Sequence, residues 1–245
     1  MQAEDITLSR RGLKLGVFGD MGVGKTTLAM TFPRPLVIDT DNGLISVTYA
    51  AGGTVEGQRM EPGGYRDVEG IVRHVRANLD NHDTIVIDSV PTLCGLLIDE
   101  LTAEHAKAVK HATRPLLMEN IPEQIEYLGN QQQLKRLLLA LEQTGKHIVL
   151  IGGLRFDDKN NDQRVFDLSA GARKIVGHYC DIVGELQVTT NREVFGDNEE
   201  HHVLFTAPKP IRQAKCRFAD LRPTVTDPTY DTLWGPITNK MKGSA

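Results

Sequence analysis

The sequence GDMGVGKT at residues 19–26 follows an apolar stretch, residues 13–18, whose alternating and clustered hydrophobic residues are typical of a buried strand. It matches G-x-x-x-x-G-K-[ST], the pattern of a phosphate-binding loop. Its glycines are expected to take positive φ values and turn backbone N–H groups toward phosphate oxygens. A helix-compatible run begins at Lys25, and its N-terminal dipole favours an anion. The stretch therefore predicts a strand, a phosphate loop and a helix in succession.

This loop predicts the contacts of a bound nucleotide. Lys25 is expected to reach the β- and γ-phosphates of ATP, and the Thr26 hydroxyl is expected to be a ligand of Mg²⁺. The other predicted cofactor-binding residues are Gly19, Asp20, Met21, Gly22, Val23, Gly24 and Thr27.

A second signature is TIVID at residues 84–88, a β-branched run that ends in a carboxylate. Open α/β sheets bind ligands at the carboxyl ends of their strands. Asp88 is therefore the second predicted Mg²⁺ residue, acting through water.

Length and composition limit the class of protein. The 245 residues are 40% hydrophobic and 24% charged, with a formal net charge of -4, so any nucleic-acid binding must come from local basic patches. One α/β domain is expected over residues 1–245, with an N-terminal extension at 1–12 and a C-terminal tail at 224–245. The three separated cysteines favour a cytoplasmic compartment over a disulfide framework or zinc site. No run approaches membrane-spanning length, so no membrane is expected.

The remaining patterns predict the order of elements. Helices are predicted around residues 68–79 and 131–143, and residues 52–64 and 154–172 are predicted to be connections without regular structure. Strands are predicted at residues 36–39, 147–151, 182–190, 193–195 and 203–206. This order predicts an α/β fold with a mostly parallel twisted sheet, flanking helices and antiparallel strands at the C-terminal end.

Three patterns recur in the order of a known family. The phosphate loop is followed by VIDTDNGL at residues 37–44 and TIVIDSV at residues 84–90, and later by a strand that leads into a long polar segment. This succession resembles the P-loop NTPase core of RecA-type recombinases over residues 13–222. The short length and a basic K-x-R element make the chain most similar to the RecA-like single-strand annealing proteins of bacteriophages. The resemblance implies a Mg²⁺-dependent, DNA-stimulated ATPase that promotes annealing or strand exchange in phage recombination or replication.

The resemblance also implies catalytic roles. In RecA-like proteins a carboxylate after the second strand positions the attacking water, and Asp41 occupies that place, with Asp39 as the alternative. The family residue is usually Glu. Since small misplacements of a catalytic group are costly, the shorter Asp41 predicts slow hydrolysis. Ser89 matches the family's small polar residue beside the Mg²⁺-linked Asp88.

Lys215 and Arg217 resemble the K-x-R finger that RecA-like ATPases insert into the nucleotide site of the neighbouring subunit. A cation delivered in this way stabilises the charge of the transition state. The match implies a head-to-tail homo-oligomer, either a ring or a filament. A basic surface loop that only touches DNA is the alternative interpretation.

Two DNA-binding loops are implied by the family, near residues 105–122 and 155–171. Basic residues there suit sequence-independent contact with single-stranded DNA, and Phe156 and Phe166 could stack on bases or anchor the loop to the core. The strand before the second loop ends in Gly152 and lacks the Gln that senses the γ-phosphate in RecA. The predicted DNA-contacting residues are Lys107, Lys110, Arg114, Arg155, Lys159 and Arg164.

The predicted partners are single-stranded DNA, further copies of the chain and a single-strand DNA-binding protein. A P-loop switch that acts on a protein partner without DNA is the alternative function. A small-molecule kinase is disfavoured because no Arg-rich lid is visible in the sequence.

Overall fold

The computed structural model describes residues 11–108, 122–158, 162–190 and 199–242. The first elements in chain order are β1 (Lys14–Phe18), α1 (Lys25–Met30), β2 (Pro35–Asp39), α2 (Leu44–Ala50), β3 (Gln58–Met60), α3 (Tyr65–Ala77), β4 (Thr84–Asp88), α4 (Val90–Ala108), α5 (Gln124–Glu142) and β5 (His147–Gly152). They are followed by β6 (Leu154–Asp157), β7 (Gln163–Phe166), α6 (Ala170–Tyr179), β8 (Ile182–Thr189), β9 (His201–Phe205), β10 (Lys215–Cys216), β11 (Thr224–Thr226) and α7 (Tyr230–Lys242).

The main sheet contains nine of the described strands. Its order is β11-β9-β8-β1-β5-β4-β2-β3, and β10 lies beside β8. Strands β1 to β5 and β8 run parallel to their neighbours among these six, whereas β9, β10 and β11 pair antiparallel. The predicted α/β fold, with a mostly parallel sheet that finishes in antiparallel strands, is confirmed.

Both faces of the sheet are buried, which explains why its central strands are nearly continuous apolar runs. Within β2, Leu36 and Ile38 join one hydrophobic cluster and Val37 joins the other. Helices α3, α4, α5 and α6 pack on the first face, and α1 and α7 pack on the second. The parallel strands therefore end together at one edge, called here the carboxyl edge, and begin at the opposite amino edge.

Two segments predicted to be irregular contain strands. Residues 154–172 hold the hairpin of β6 and β7 and the start of α6, and residues 52–64 hold the edge strand β3. These strands are three or four residues long and carry partly exposed polar side chains. Such short strands contain too few residues for apolar alternation to distinguish them from a loop.

The described part of the predicted C-terminal tail, residues 224–242, contains regular structure, namely β11 and α7. Strand β11 pairs with β9, and α7 buries Leu233 and Ile237 in the second cluster. Helix α5 begins earlier than predicted, at a capping box formed by Glu123 and Glu126. The strand predicted at 193–195 lies outside the described residues.

Packing at the end of β5 explains why residue 152 is a glycine, where RecA has a Gln. A Cβ atom at Gly152 would lie 2.0 Å from Cε1 of Phe166, which packs on Phe18 with ring centroids 5.8 Å apart. We predict that Gly152→Ala displaces this ring and lowers the free energy of unfolding by about 1–3 kcal/mol. Chemical denaturation measures the change.

Gly70→Ala is the matched control, because no atom lies within 4 Å of the added Cβ on α3. This substitution should raise stability by up to about 1 kcal/mol through helix propensity. Equal stability of the two variants would contradict the proposed steric role of Gly152.

Candidate nucleotide site

The predicted nucleotide residues meet at the carboxyl edge of the sheet. Strand β1 leads directly into the phosphate loop, and β4 ends at Asp88. In the parallel pairing of β2 with β4, Asp39 lies opposite Asp88. The topology therefore brings together the motifs that are separated in sequence.

The glycines of the loop have two different physical roles. Gly22 and Gly24 take positive φ values, 80° and 85°, as predicted, and Gly24 is the N-cap of α1. Gly19 does not take a positive φ, so that part of the prediction is wrong. A Cβ there would lie 2.3 Å from the carbonyl oxygen of Leu186 in β8, so Gly19 is required by close packing.

Lys25 lies over the loop that precedes it. Its Nζ donates hydrogen bonds to the carbonyl oxygens of Gly19, at 3.0 Å, and Asp20, at 2.6 Å. Burial lowers the pKa of Lys25, whereas the nearby carboxylates of Asp88 and Asp20 act in the opposite direction. Phosphate oxygens of a nucleotide would offer this ammonium stronger, charged acceptors than the carbonyls.

Thr26 and Asp88 form the predicted Mg²⁺ pair. The hydroxyl of Thr26 donates to Oδ2 of Asp88 at 2.7 Å. Burial raises the pKa of Asp88, the Thr26 hydrogen bond opposes this shift, and the charges of Asp39 and Asp41 reinforce it. A metal cation beside these oxygens, in addition to the Lys25 ammonium, would reduce the free-energy cost of burying the ionised carboxylate.

The residues around this pair fit a magnesium ion. Hydroxyl and carboxylate oxygens are hard ligands of the kind that Mg²⁺ prefers, with the remaining positions taken by phosphates and water. Gly43 leaves space for them, because a Cβ there would lie 3.1 Å from Oδ2 of Asp88 and 3.7 Å from Oγ1 of Thr26. When bound, the ion would neutralise phosphate charge. Among the described residues, no group of three His, Cys, Asp or Glu side chains could hold a metal by itself.

The two candidate catalytic carboxylates differ in their surroundings. Asp39 is buried and accepts hydrogen bonds from the backbone N–H of Gly43 at 3.0 Å and from Nε of Arg59 at 2.8 Å. Asp41 is exposed, with the Thr40 hydroxyl 3.4 Å away. Asp39 therefore has a structural role, and Asp41 remains the predicted residue for positioning water.

Thr40 is a site residue that the sequence did not reveal. Its backbone N–H donates to the carbonyl of Asp88 at 2.6 Å, and its hydroxyl accepts from the backbone N–H of Ser89 at 2.8 Å. The hydroxyl also contacts the Ser89 carbonyl at 3.1 Å. Thr40 thus fixes the end of β4, and with it the direction of the Asp88 carboxylate. Only its place between two predicted acids, Asp39 and Asp41, could have drawn attention to it.

A family model described as an AAA domain, AAA_24, matches residues 11–218. The chain belongs to this AAA-domain family. Membership indicates nucleotide binding and ATPase activity, in agreement with the arrangement of Lys25, Thr26 and Asp88 at the carboxyl edge of a mostly parallel sheet.

Comparisons with solved structures and with curated proteins add less information about this chain. A KaiC-like protein from the hyperthermophilic archaeon Pyrococcus horikoshii has a similar solved structure, with 14% sequence identity, 88% of this chain and 89% of that chain covered, and a TM-score of 0.43. No curated protein matches the sequence. No helix within the described ranges is long and apolar enough to cross a membrane.

Lys215 and Arg217 of this AAA-domain protein lie far from its own phosphate loop, at the amino edge of the sheet. Nζ of Lys215 donates to the carbonyls of Gly177 at 2.5 Å and Cys180 at 2.7 Å, near the C-terminal end of α6. Arg217 donates to Oδ1 of Asp181 at 3.0 Å. The structure therefore does not bring the K-x-R element together with the nucleotide site of the same chain.

The predicted DNA-contacting residues have different outcomes. Arg155 and Phe156 are exposed on β6, at the carboxyl edge. Arg164 is engaged inside the fold, with Nε 3.3 Å from Oε1 of the buried Glu185. Phe166 is 1% exposed, so its predicted stacking on bases is wrong and its alternative role as a core anchor is correct.

The other predicted DNA contacts cannot be placed. Lys107 lies on α4, but the position of its side chain is not described. The remaining predicted contacts, Lys110, Arg114 and Lys159, lie outside the described residues.

The raised pKa of Asp88 predicts how its charge affects the stability of the protein. Because the folded-state pKa lies above the ordinary value, an ionised Asp88 disfavours folding at neutral pH, and this cost disappears once acid protonates the group. Asp88→Asn should therefore raise the Tm of the nucleotide-free protein at pH 8. It should also weaken Mg²⁺-nucleotide binding about 10- to 100-fold. Calorimetry measures both quantities.

Asp83→Asn is the control at the other end of the same strand. A hydrogen bond from Arg34, 2.7 Å long, lowers the pKa of Asp83, so its ionised form stabilises the fold above the ordinary pKa. This variant should lower the Tm at pH 8 and leave nucleotide affinity unchanged. If both variants lower the Tm, the interpretation of Asp88 as a charge held at a cost is wrong.

Proposed function

We propose that this protein is a cytoplasmic, Mg²⁺-dependent ATPase that assembles head to tail on single-stranded DNA and promotes annealing or strand exchange for a phage. The observation that carries its nucleotide chemistry is the 2.7 Å hydrogen bond between Thr26 and Asp88 beside the Lys25 ammonium. Lys25 would hold the phosphates, and Thr26 and Asp88 would hold the metal. Asp41 would orient the attacking water, slowly because its side chain is short.

Head-to-tail assembly is supported by the two edges of the sheet. The phosphate loop follows β1 at the carboxyl edge, and Arg217 binds Asp181 at the amino edge, just before β8. A heterologous contact between copies would place the amino edge of one subunit on the carboxyl edge of the next. Arg217, whose side chain is 43% exposed, could then reach the neighbouring nucleotide.

A mixing experiment tests this arrangement. Arg217→Ala subunits retain the phosphate loop, and Lys25→Ala subunits retain the finger, so each variant alone should hydrolyse no ATP above background. Mixed in equal amounts, about one quarter of the contacts would combine an intact loop with an intact finger. ATP turnover should then recover to about a quarter of the wild-type rate. Absence of recovery in a mixture that sedimentation shows to be assembled would contradict delivery in trans.

Contact with single-stranded DNA is supported by the hairpin of β6 and β7. Arg155 offers a cation for phosphates, and Phe156, 53% exposed, offers a ring on which bases can stack. Arg164 and Phe166 are engaged in the fold, so the proposed DNA contact is narrower than the sequence predicted.

The slope of log Kobs against log salt concentration is negative for a protein that binds phosphates. We predict that Arg155→Ala makes this slope less steep by about 0.7, the value for one phosphate contact on a single strand. Phe156→Ala should weaken binding about 5- to 100-fold through lost stacking, with the salt slope unchanged. Filter binding over a salt series, with and without ATP, measures both. Arg73→Ala, on the exposed face of α3, is the control and should change neither.

The alternative function is a nucleotide-dependent switch that acts on a protein partner. It is favoured by Ile45 and Tyr49 of α2, which are 65% and 87% exposed beside a largely apolar cavity of about 440 Å³. Helix α2 begins next to Gly43, where an added Cβ would lie 3.1 Å from Oδ2 of Asp88, so a change at the nucleotide could reach this surface. A wild-type protein that hydrolyses ATP but neither binds single-stranded DNA nor responds to it would favour this alternative.

A further inference from the structure

We propose that His202 of β9 is a positioning residue of the phosphate loop, which holds the Val23 carbonyl outward and thereby keeps the Gly24 N–H directed at the phosphates. This inference rests on the proposed nucleotide binding. His202 belongs to no motif and lies far from the loop in sequence, so only the fold brings the two together.

The contact between His202 and the loop has two parts. Nδ1 of His202 lies 3.1 Å from the carbonyl oxygen of Val23. A carbonyl only accepts, so Nδ1 must carry the hydrogen and donate. The ring also covers Gly24, since a Cβ there would lie 3.1 Å from its Cε1 and 3.2 Å from its Nδ1. Gly24 therefore needs to be glycine for space as well as for its positive φ.

The geometry of the peptide bond makes this contact important for phosphate binding. In a trans peptide the C=O and the following N–H point in opposite directions. Holding the Val23 carbonyl on the outside of the loop thus directs the Gly24 N–H inward. Gly24 can adopt φ of either sign, so this peptide could otherwise rotate and present a carbonyl oxygen to an anion. His202 opposes that rotation.

His202 is itself fixed by several contacts. It pairs with Val188 of β8, and its backbone N–H donates to Oδ1 of Asp227 at 2.9 Å. The backbone N–H of Asp227 returns a hydrogen bond to the His202 carbonyl at 2.6 Å. Strand β8 also contacts the other end of the loop, where Leu186 meets Gly19. The two ends of the phosphate loop therefore pack against the paired strands β8 and β9.

The test compares His202→Ala with His202→Asn. The Asn side chain has an N–H donor close to the position of Nδ1, whereas Ala has none. Loss of one hydrogen bond predicts that His202→Ala raises the Kd of both ADP and ATP, and the KM for ATP, about 3- to 10-fold. The value of kcat should change less than KM, because the loop contacts the ground state and the transition state alike. Asn should restore the Kd to within about twofold of wild type.

His201→Ala is the matched control, because His201 is the neighbour of His202 on β9, contacts Asp227 at 2.9 Å, and has its side chain on the opposite face of the strand. Direct titration with a fluorescent nucleotide gives each Kd, and thermal melting shows that each variant is folded. An unchanged Kd in His202→Ala overturns the inference, as does an equal loss in His201→Ala or a failure of Asn to restore binding. If the wild type binds no nucleotide, the proposed function fails instead, which keeps the two failures distinct.

Discussion

The hydrogen bond between Thr26 and Asp88 is the interaction on which the rest of the site depends. Asp88 is 5% exposed, and an ionised carboxylate at that depth needs donors or cations to offset its lost hydration. Its neighbours meet this need only in part and leave the space open: Gly43 carries no side chain, Thr40 fixes the backbone, and Lys25 offsets some of the charge. The carboxylate is therefore poised to exchange a hydroxyl donor for a metal ion.

Sequence predicted the parts of this site whose function is encoded locally. The phosphate loop specifies its own backbone, and strands buried on both faces, such as β4, are written as apolar runs that end in a recognisable acid. It could not predict residues whose identity follows from what the fold brings against them. Gly19 and Gly152 are glycines because of Leu186 and Phe166, which are distant in sequence.

The roles of basic residues are also difficult to predict from sequence alone. Residues 154–172 have several exposed-looking cations, yet Arg164 contacts Glu185, a buried acid within β8. Nε of Arg212 lies 2.5 Å from the same carboxylate, and its guanidinium stacks on the Phe205 ring at 3.7 Å. A basic residue can either bind a ligand or neutralise an internal acid, and only its contacts in the folded structure distinguish the two roles. The network also links the hairpin to β8, beside the phosphate loop.

Lys215 and Arg217 both lie at the amino edge, and their contacts determine which of the two could extend to a neighbouring subunit. Lys215 donates to carbonyls near the end of α6, where a cation also interacts favourably with the helix dipole, so its removal would leave several acceptors without a donor. Arg217, whose side chain is 43% exposed, donates from Nη1 to Oδ1 of Asp181 at 3.0 Å and from Nη2 to the His178 carbonyl at 2.7 Å. Asp181 is buried, but Arg11 lies 3.3 Å from the same Oδ1 and would still offset its charge if Arg217 moved away. A nucleotide phosphate can accept two parallel hydrogen bonds from a guanidinium, whereas Oδ1 of Asp181 accepts one from Arg217. Within the K-x-R element, Lys215 therefore suits the role of anchor and Arg217 that of the cation that moves.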